Sequence, residues 1–246
     1  KVIHVEAGIR SGDLTMPEEI NRMVTDSISD YFFTTSKTAT NNLRHSGFPE
    51  ERIFFVGNTM IDTLIKHRNF FKKPTIWDEF GLEVNNYIMM TLHRPANVDE
   101  EQILKILINK IVRHSSKIPI IFPVHPRTAK QLKSLGPFAE NFHTIDPLGY
   151  LEFNFLVEKS KAVITDSGGI TEEATVMNVP CMTLRNNTER PETIELGTNE
   201  LIGTDPENIK PAMQKLFSGN WKKGRIPELW DGKTATRIVK NIINFS

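Results

Sequence analysis

Short apolar runs alternate with helical patterns along nearly the whole of this 246-residue sequence. The apolar runs predict strands at Val2–Val5, Tyr31–Thr34, Ile53–Val56, Tyr87–Thr91, Ile118–Pro123, Phe142–Ile145, Ala162–Thr165, Pro180–Leu184 and Glu200–Ile202. Helical spacing predicts helices at Glu18–Ser29, Lys37–Ser46, Glu100–His114, Arg127–Leu135, Gly149–Lys159, Gly169–Met177, Pro206–Phe217 and Thr234–Ile243. Alternation of this kind indicates an α/β protein with parallel sheets covered on both faces.

A polar stretch containing a proline, residues 71–78, interrupts the alternation and indicates a domain boundary. We therefore predict a first domain over residues 1–75 and a second over residues 76–246. The first has too few strands to stand alone. The sequence also opens abruptly inside a strand, without an initiator methionine, so we expect the first domain to be the remaining part of one from a longer chain.

Composition excludes several classes of partner. Lys and Arg together number 30, as do Asp and Glu, so the net charge is zero and no general attraction to nucleic acid or anionic membrane is expected. The apolar runs are too short to span a bilayer. Cys181 is the one cysteine and lies in an apolar segment, which favours a buried structural thiol in a reducing cytoplasm.

The loop after Ala162–Thr165 is the strongest candidate for binding chemistry, because ligands of parallel sheets bind beyond the carboxyl ends of strands. Ser167, Gly168 and Gly169 lead into a helix whose N-terminus offers N–H groups and a favourable dipole to a phosphate or diphosphate. Glu172 and Glu173 would repel a phosphate if aimed at it, but a carboxylate one turn further along the helix can accept hydrogen bonds from ribose hydroxyls. An ordinary strand–turn–helix with a first-turn glutamate explains the same residues equally well.

Two other strand-end loops each carry a histidine and an arginine. His93 and Arg94 offer a titratable donor and a fixed cation near a prospective diphosphate. His125 and Arg127 repeat the arrangement after the next strand. They either line the same cleft or shape the turn before the following helix.

Charged residues also mark the starts of two helices. Arg190 precedes a helix that opens with proline, where it contacts an anion or simply begins the helix. Glu6 lies just past the first strand, and Glu18 and Glu19 open the helix that follows. Carboxylates from successive loops, facing a histidine across a cleft, could share acid and base duties. The alternative is that Glu18 and Glu19 only complement the helix dipole.

No motif for a metal or a common cofactor is present. Neither a His-x-x-x-His nor a cysteine pair has ligand spacing. There is no P-loop and no Gly-x-Gly-x-x-Gly after a strand. We therefore expect no metal and no added cofactor, and an NAD or ATP enzyme of the usual kinds is disfavoured.

Taken together, these loops resemble one family, the non-hydrolysing UDP-N-acetylglucosamine 2-epimerases. One matching string would be weak evidence, but seven occur in the family's order and span nearly the whole chain. They are His4-Val-Glu-Ala-Gly-Ile-Arg-Ser, Pro17-Glu-Glu-Ile-Asn-Arg, Gly57-Asn-Thr-Met-Ile-Asp, Thr91-Leu-His-Arg, Pro123-Val-His-Pro-Arg-Thr, Thr165-Asp-Ser-Gly-Gly-Ile-Thr-Glu-Glu-Ala and Thr188-Glu-Arg-Pro-Glu.

The resemblance implies two Rossmann-like domains of the glycosyltransferase-B type, the first one incomplete, facing a cleft. The last helix, about residues 234–246, would return to the first domain. The second domain would bind UDP. By this resemblance the diphosphate would be bound by Ser167, Gly168 and Gly169, with Arg190 and His93 nearby. The ribose would be held by Glu173, and the uracil would contact the backbone at Phe153.

The resemblance also implies inversion at C2 of UDP-N-acetylglucosamine in the cytoplasm, for cell-surface polysaccharide precursors, by a homodimer. Glu6, Glu18 and His93 match the family's catalytic residues. A catalytic aspartate and basic groups of the family would precede the start of this chain. The 246 residues alone are therefore expected to be inactive, although able to bind UDP.

Four alternatives stay open. The first is a UDP-sugar glycosyltransferase of the same fold, against which the paired carboxylate motifs argue. The second is a hydrolysing epimerase that releases N-acetylmannosamine. The third is a sister epimerase for a diacetamido uronic acid sugar, although residues 10–14 look more like the N-acetylglucosamine type. The fourth is a non-catalytic binding module made by truncation.

Overall fold

The structure, a computed structural model, describes residues 1–98, 100–124, 129, 132 and 134–245. Its strands are β1 (Ile3–Val5), β2 (Tyr31–Thr34), β3 (Ile53–Phe55), β4 (Ile88–Thr91), β5 (Ile120–Pro123), β6 (Phe142–Ile145), β7 (Ala162–Thr165), β8 (Cys181–Thr183) and β9 (Asn199–Leu201). Its helices are α1 (Pro17–Ser27), α2 (Lys37–His45), α3 (Thr59–His67), α4 (Ile76–Glu79), α5 (Pro95–Val98), α6 (Glu101–His114), α7 (Tyr150–Lys159), α8 (Gly168–Met177), α9 (Pro191–Glu195), α10 (Ile209–Phe217) and α11 (Thr234–Ile243). Short 3-10 turns lie at Glu50–Arg52, Arg68–Phe70 and Pro206–Asn208. The predicted helix Arg127–Leu135 falls largely outside the described residues.

The chain forms two compact units. Unit 1 comprises residues 1–69, 188–197 and 226–246, and unit 2 comprises residues 70–187 and 198–225. The chain thus enters unit 2 at Phe70, slightly before the predicted boundary near residue 75. Two later segments, which carry α9 and α11, return to unit 1.

Unit 1 is built on a parallel sheet in the order β1-β2-β3. Its buried core includes Phe32, Leu43 and Ile53. The Gly57–Asp62 motif makes two kinds of contact at the start of α3. The side chain of Asn58 caps α3 through the N–H of Met60, while Asp62 accepts the N–H groups of Thr234 and Ala235 at the start of α11.

Unit 2 contains a six-stranded parallel sheet in the order β6-β5-β4-β7-β8-β9. Counted within the unit, this order is 3-2-1-4-5-6, the doubly wound arrangement of Rossmann-like domains. Successive strands are added to one side of β4 as far as β6 and then to its other side from β7 onward, so the strand order reverses between β4 and β7. These two strands pair from Ile88 with Ala162 to Thr91 with Thr165. The α/β fold expected from the sequence, with parallel sheets and a Rossmann-like domain, is confirmed.

Burial in unit 2 follows from the sequence periods. Strands β4, β5 and β7 are buried almost throughout, as central parallel strands are. Helix α6 buries Leu104, Leu107, Ile108 and Ile111, which lie on one face at helical spacing. Cys181 in β8 is fully buried, as predicted, and burial raises the pKa of its thiol to about 12. Among the described residues, no helix is both long and apolar enough to cross a membrane.

Two glycines after β1 allow a matched test of packing. Gly8 and Gly12 have nearly the same left-handed conformation, with φ of +74° and +75°. A Cβ on Gly8 would lie 2.2 Å from the carbonyl oxygen of Ala39, whereas one on Gly12 would meet nothing within 4 Å. We predict that Gly12→Ala lowers the free energy of unfolding by about 1 kcal/mol, the cost of the left-handed alanine alone. Gly8→Ala should add a steric cost and lose about 3 kcal/mol or more.

Urea unfolding of the two variants measures the difference directly. Equal losses would mean that the backbone at Ala39 yields to the new methyl group and that the close approach at Gly8 is not a constraint.

Candidate functional site

The loops after β4 and β7 meet at the point where the strand order of unit 2 reverses, and a buried carboxylate joins them. Asp166, directly after β7, is fully buried. It accepts hydrogen bonds from the backbone N–H groups of His93 and Arg94 and from the side-chain amide of Asn97. The Nδ1 atom of His93 lies 2.8 Å from Asp166 Oδ1. The switch point, where doubly wound sheets bind ligands, is therefore organised by Asp166.

The charge of Asp166 follows from these contacts. Burial favours the neutral acid, but the hydrogen bonds from His93, Asn97 and Arg94 N–H and the charge of His93 outweigh it. Together they hold the pKa of Asp166 below its ordinary value. Asp166 is thus a carboxylate at neutral pH. Sequence reasoning did not select it, because its role appears only when the two loops are brought together.

Helix α8 follows Asp166 in the chain, with one residue, Ser167, between them. Ser167 is its N-cap in an extended conformation and makes no side-chain capping hydrogen bond, while Gly168 and Gly169 open the first turn. The N–H of Ser167 donates to Thr165 Oγ1, which fixes the entry of the chain into the helix. The first turn thus presents N–H groups and the positive end of the dipole directly after Asp166, the residue that His93 contacts.

Glu173 lies one turn along α8 and is buried. Its Oε1 accepts a hydrogen bond of 2.8 Å from the hydroxyl of Tyr150, at the start of α7. Burial raises the pKa of Glu173 more than hydrogen bonding lowers it. A carboxyl group held in this state can gain stability from further donors, such as hydroxyl groups of a ligand.

Phe153 lies in the first half of α7 and is half-buried. Its backbone N–H donates to the carbonyl oxygen of Gly149, 2.9 Å away. That N–H is therefore engaged within the helix, and a base meeting the backbone at Phe153 would meet its carbonyl oxygen.

In unit 1, Glu6 follows β1 in a left-handed conformation, with φ of 66°. One of its oxygens accepts a 2.9 Å hydrogen bond from Thr59 Oγ1, and the other lies 3.8 Å from Nη2 of Arg190. Arg190 is buried and is the N-cap of α9, so the predicted proline-initiated helix is confirmed. A non-glycine residue rarely adopts positive φ without a constraint, and such residues are frequent at functional sites.

The two glutamates at the start of α1 differ in exposure. Glu18 is exposed, whereas Glu19 is almost fully buried. Glu19 accepts the backbone N–H groups of Ser11 and Gly12, at 2.9 and 3.0 Å. Burial raises its pKa, but these two hydrogen bonds, the Ser11 hydroxyl and the charge of Arg22 together lower it below the ordinary value. Glu19 thus holds the loop at Ser11 and Gly12 against α1, and Glu18 is the more exposed of the two glutamates.

Asp26, two turns beyond Glu19, is a second buried carboxylate that the sequence reasoning missed. Its oxygens lie 2.6 Å from His4 Nδ1 and 2.5 Å from Arg10 Nη2. His4 and Arg10 flank Glu6 in the chain. Glu19 and Asp26 therefore fasten α1, which carries Glu18, to the loop that carries Glu6.

Each unit thus brings together part of the predicted set. His93, Arg94, Ser167, Gly168 and Gly169 gather at the switch point of unit 2, while Glu6 and Arg190 meet in unit 1. His125 and Arg127 lie outside the described residues. Among the described residues, no group of three or more His, Cys, Asp or Glu side chains is arranged to hold a metal ion.

Comparison with known proteins gives this arrangement a family. Residues 1–243 match the sequence model of the family described as UDP-N-acetylglucosamine 2-epimerase. The chain belongs to this family. The resemblance noted from the loop motifs is therefore confirmed.

Individual members of the epimerase family agree over nearly the full chain. A UDP-N-acetylglucosamine 2-epimerase of Methanococcus maripaludis is 43% identical over 99% of this chain and 68% of its own length. A UDP-2,3-diacetamido-2,3-dideoxy-D-glucuronate 2-epimerase of Pseudomonas aeruginosa is 37% identical over 92% of the chain and 67% of its own length. The crystal structure of the Methanocaldococcus jannaschii UDP-GlcNAc 2-epimerase in complex with UDP-GlcNAc and UDP superposes with a TM-score of 0.82. The two sequences are 41% identical, and the matched region covers 98% of this chain and 69% of the Methanocaldococcus jannaschii chain.

The raised pKa of Glu173 gives a prediction for stability and binding. An ordinary glutamate, with a pKa of 4.5, ionises in the unfolded chain while burial still favours the protonated form in the folded one. The stability that protonated Glu173 contributes is therefore fully present below the unfolded-state pKa of 4.5 and is lost as pH rises through the higher pKa of the folded chain. Glu173→Gln removes this loss, so its melting temperature should rise relative to the unmodified chain as pH increases from about 4.5 to 7. If Glu173 accepts hydrogen bonds from the ribose hydroxyls, as the resemblance implies, the affinity for UDP should also fall about tenfold, because that acceptor is lost.

Calorimetric melting and titration with UDP measure the two effects, and Glu83→Gln, an exposed change of the same charge in unit 2, is the control. A Glu173→Gln variant that binds UDP normally would remove Glu173 from the nucleotide site.

Proposed function

We propose that this chain acts as a UDP-N-acetylglucosamine 2-epimerase, which interconverts UDP-N-acetylglucosamine and UDP-N-acetylmannosamine. The observation that carries the proposal is the switch point of unit 2. There a helix N-terminus opened by Ser167, Gly168 and Gly169 stands beside His93, in a chain that belongs to the epimerase family. This combination suits a nucleotide diphosphate, because orphan N–H groups, the helix dipole and an imidazole all favour an anion.

The nucleotide is proposed to lie along unit 2. The first turn of α8 and His93 would hold the diphosphate, Glu173 the ribose hydroxyls, and the backbone at Phe153 the uracil. Arg94 would add a fixed positive charge near the phosphates. Binding by backbone N–H groups needs no metal ion, in keeping with the absence of a metal-ligand motif in the sequence.

The proposed reaction is elimination followed by re-addition. A base removes the C2 proton while the C1–oxygen bond breaks and its electron pair leaves with UDP, which gives 2-acetamidoglucal. Protonation of C2 on the opposite face and return of the UDP oxygen to C1 complete the inversion. A sugar C2–H is weakly acidic, so the reaction needs positioned acid–base groups and a stabilised leaving group.

Glu6 and Glu18 are the proposed acid–base groups, and Arg190 is proposed to contact a phosphate. Inversion calls for proton transfer on two faces of the sugar, which two carboxylates on separate elements can supply. The left-handed backbone at Glu6, and the fastening of its loop to α1, support an exact placement of these side chains. Homodimer formation and a cytoplasmic location stay predictions from the sequence.

The reaction class is tested by proton NMR of UDP-N-acetylglucosamine in D₂O. Deuterium at C2 together with UDP-N-acetylmannosamine is the expected result. Free N-acetylmannosamine would indicate a hydrolysing enzyme, and preferential turnover of the UDP-diacetamido-glucuronate would indicate the sister activity. UDP release only when a sugar acceptor is added, without exchange at C2, would replace the proposal with a glycosyltransferase.

The same assay is run on the 246-residue chain and on any longer natural polypeptide that contains it, since the chain matches 68% of its curated relative. We expect UDP binding without turnover by the 246 residues alone. Turnover by these residues would contradict that expectation but not the epimerase assignment.

Glu6→Gln and Glu18→Gln should each lower kcat at least about 100-fold in the active form, because each removes a general acid–base group. UDP affinity should change little in Glu18→Gln, because Glu18 is not among the proposed nucleotide contacts. Glu6→Gln should also lower UDP affinity to the extent that it displaces Arg190, which lies 3.8 Å from Glu6. Glu51→Gln, an exposed change in unit 1, is the matched control. Normal kcat in either variant would exclude that carboxylate from proton transfer.

A further inference from the structure

The contact between His93 and Asp166 leaves the two nitrogens of the imidazole in different surroundings. Nδ1 lies 2.8 Å from a carboxylate oxygen that is fully buried. The His93 side chain as a whole is 61% exposed. Only Nε2 can therefore be offered to a ligand while this contact persists.

Asp166 is held too firmly to follow movements of the histidine. Its oxygens accept three further hydrogen bonds, from the N–H groups of His93 and Arg94 and from Asn97. In addition, its own carbonyl oxygen accepts Nε of Arg94 at 3.0 Å. Asp166 is ionised, and an ionised carboxylate can only accept hydrogen bonds, so in this contact the proton must lie on Nδ1.

We propose that Asp166 is a positioning residue that keeps a proton on Nδ1 of His93 and so commits Nε2 to the diphosphate. The inference rests on the proposed function and deepens it. When His93 is protonated, Nε2–H donates a hydrogen bond to the phosphate oxygen that receives the electron pair of the breaking C1–oxygen bond. When His93 is neutral, Nε2 keeps a lone pair and can receive a proton at the same atom.

A histidine without a fixed hydrogen-bond partner is not held in one ring orientation, whereas an acceptor fixed at Nδ1 determines both the orientation of the ring and which nitrogen carries the proton. In catalytic and metal-binding sites generally, a carboxylate hydrogen-bonded to one ring nitrogen of a histidine fixes the tautomer and the orientation of the ring. Asp166 acts only through His93 and does not itself touch the nucleotide.

The first test needs no substitution. Long-range nitrogen–proton NMR of the ¹⁵N-labelled chain reports which nitrogen of His93 is protonated. We expect Nδ1–H in the neutral form. A neutral form with the proton on Nε2 would overturn the proposal, whether or not the chain binds UDP.

The second test separates orientation from general disruption of the loop. Asp166→Asn should lose the Nδ1–H signature and bind UDP about tenfold more weakly, the effect of one charge-assisted hydrogen bond. Uridine, which lacks phosphates, should bind both forms equally. Asn97→Ala removes another donor to Asp166 but should keep the Nδ1–H signature of His93.

Loss of the signature in both variants, or equal weakening of UDP and uridine by Asp166→Asn, would mean that Asp166 only supports the fold of the loop. Failure of the unmodified chain to bind UDP would refute the proposed function, while the NMR signature would still decide the pairing.

Discussion

The candidate nucleotide site of unit 2 depends on one buried carboxylate. Asp166 lies at the end of β7, and every contact described for its oxygens comes from the loop and short helix after β4. Parallel strands end at the same edge of a sheet but do not by themselves orient the loops beyond it. An ionised side chain with several donors supplies that orientation, because leaving any of them unmet in a buried place costs about 1–3 kcal/mol. The position of His93, and of the first turn of α8 beside it, follows from this constraint.

In unit 1, buried carboxylates of helix α1 hold the neighbouring loop in place. The buried side chains of α1 include Glu19 and Asp26, two turns apart on one face, while Ile20, Met23 and Val24 are exposed. A helix that turns carboxylates inward can hold a loop through hydrogen bonds, which apolar packing cannot do with the same directionality. The loop held in this way contains Glu6 in its left-handed conformation. In both units, therefore, candidate residues are held in place by neighbouring buried acids.

Much of the fold could be predicted from the sequence, because short apolar runs and helical spacing survive in central parallel strands and in helices such as α6. Helix α3 was missed, since its nine residues depend on the Asn58 cap and on the contacts of Asp62 with α11. The strand-end loops pointed to Ser167, His93 and Glu6 because residue type and position coincide there. Asp166 and Asp26 were not found, because a buried acid is recognisable only from its partners. For α1 the usual inward placement of apolar residues was misleading, so the different roles of Glu18 and Glu19 could not be read from the sequence.

The pairing of β4 with β7 has a consequence for how the site comes into existence. His93 and Asp166 are separated by 73 positions in the chain, and the register of Thr91 with Thr165 brings them together. A slip of this register would separate the carboxylate from its donors, so folding of the segment around β4 or of the segment around β7 alone cannot create the candidate nucleotide site. Contacts of such long range form late and slowly. A nucleotide that binds only the completely folded site would stabilise the native state relative to partly folded chains. The nucleotide concentration would then help to determine how much of the newly made chain reaches the native state.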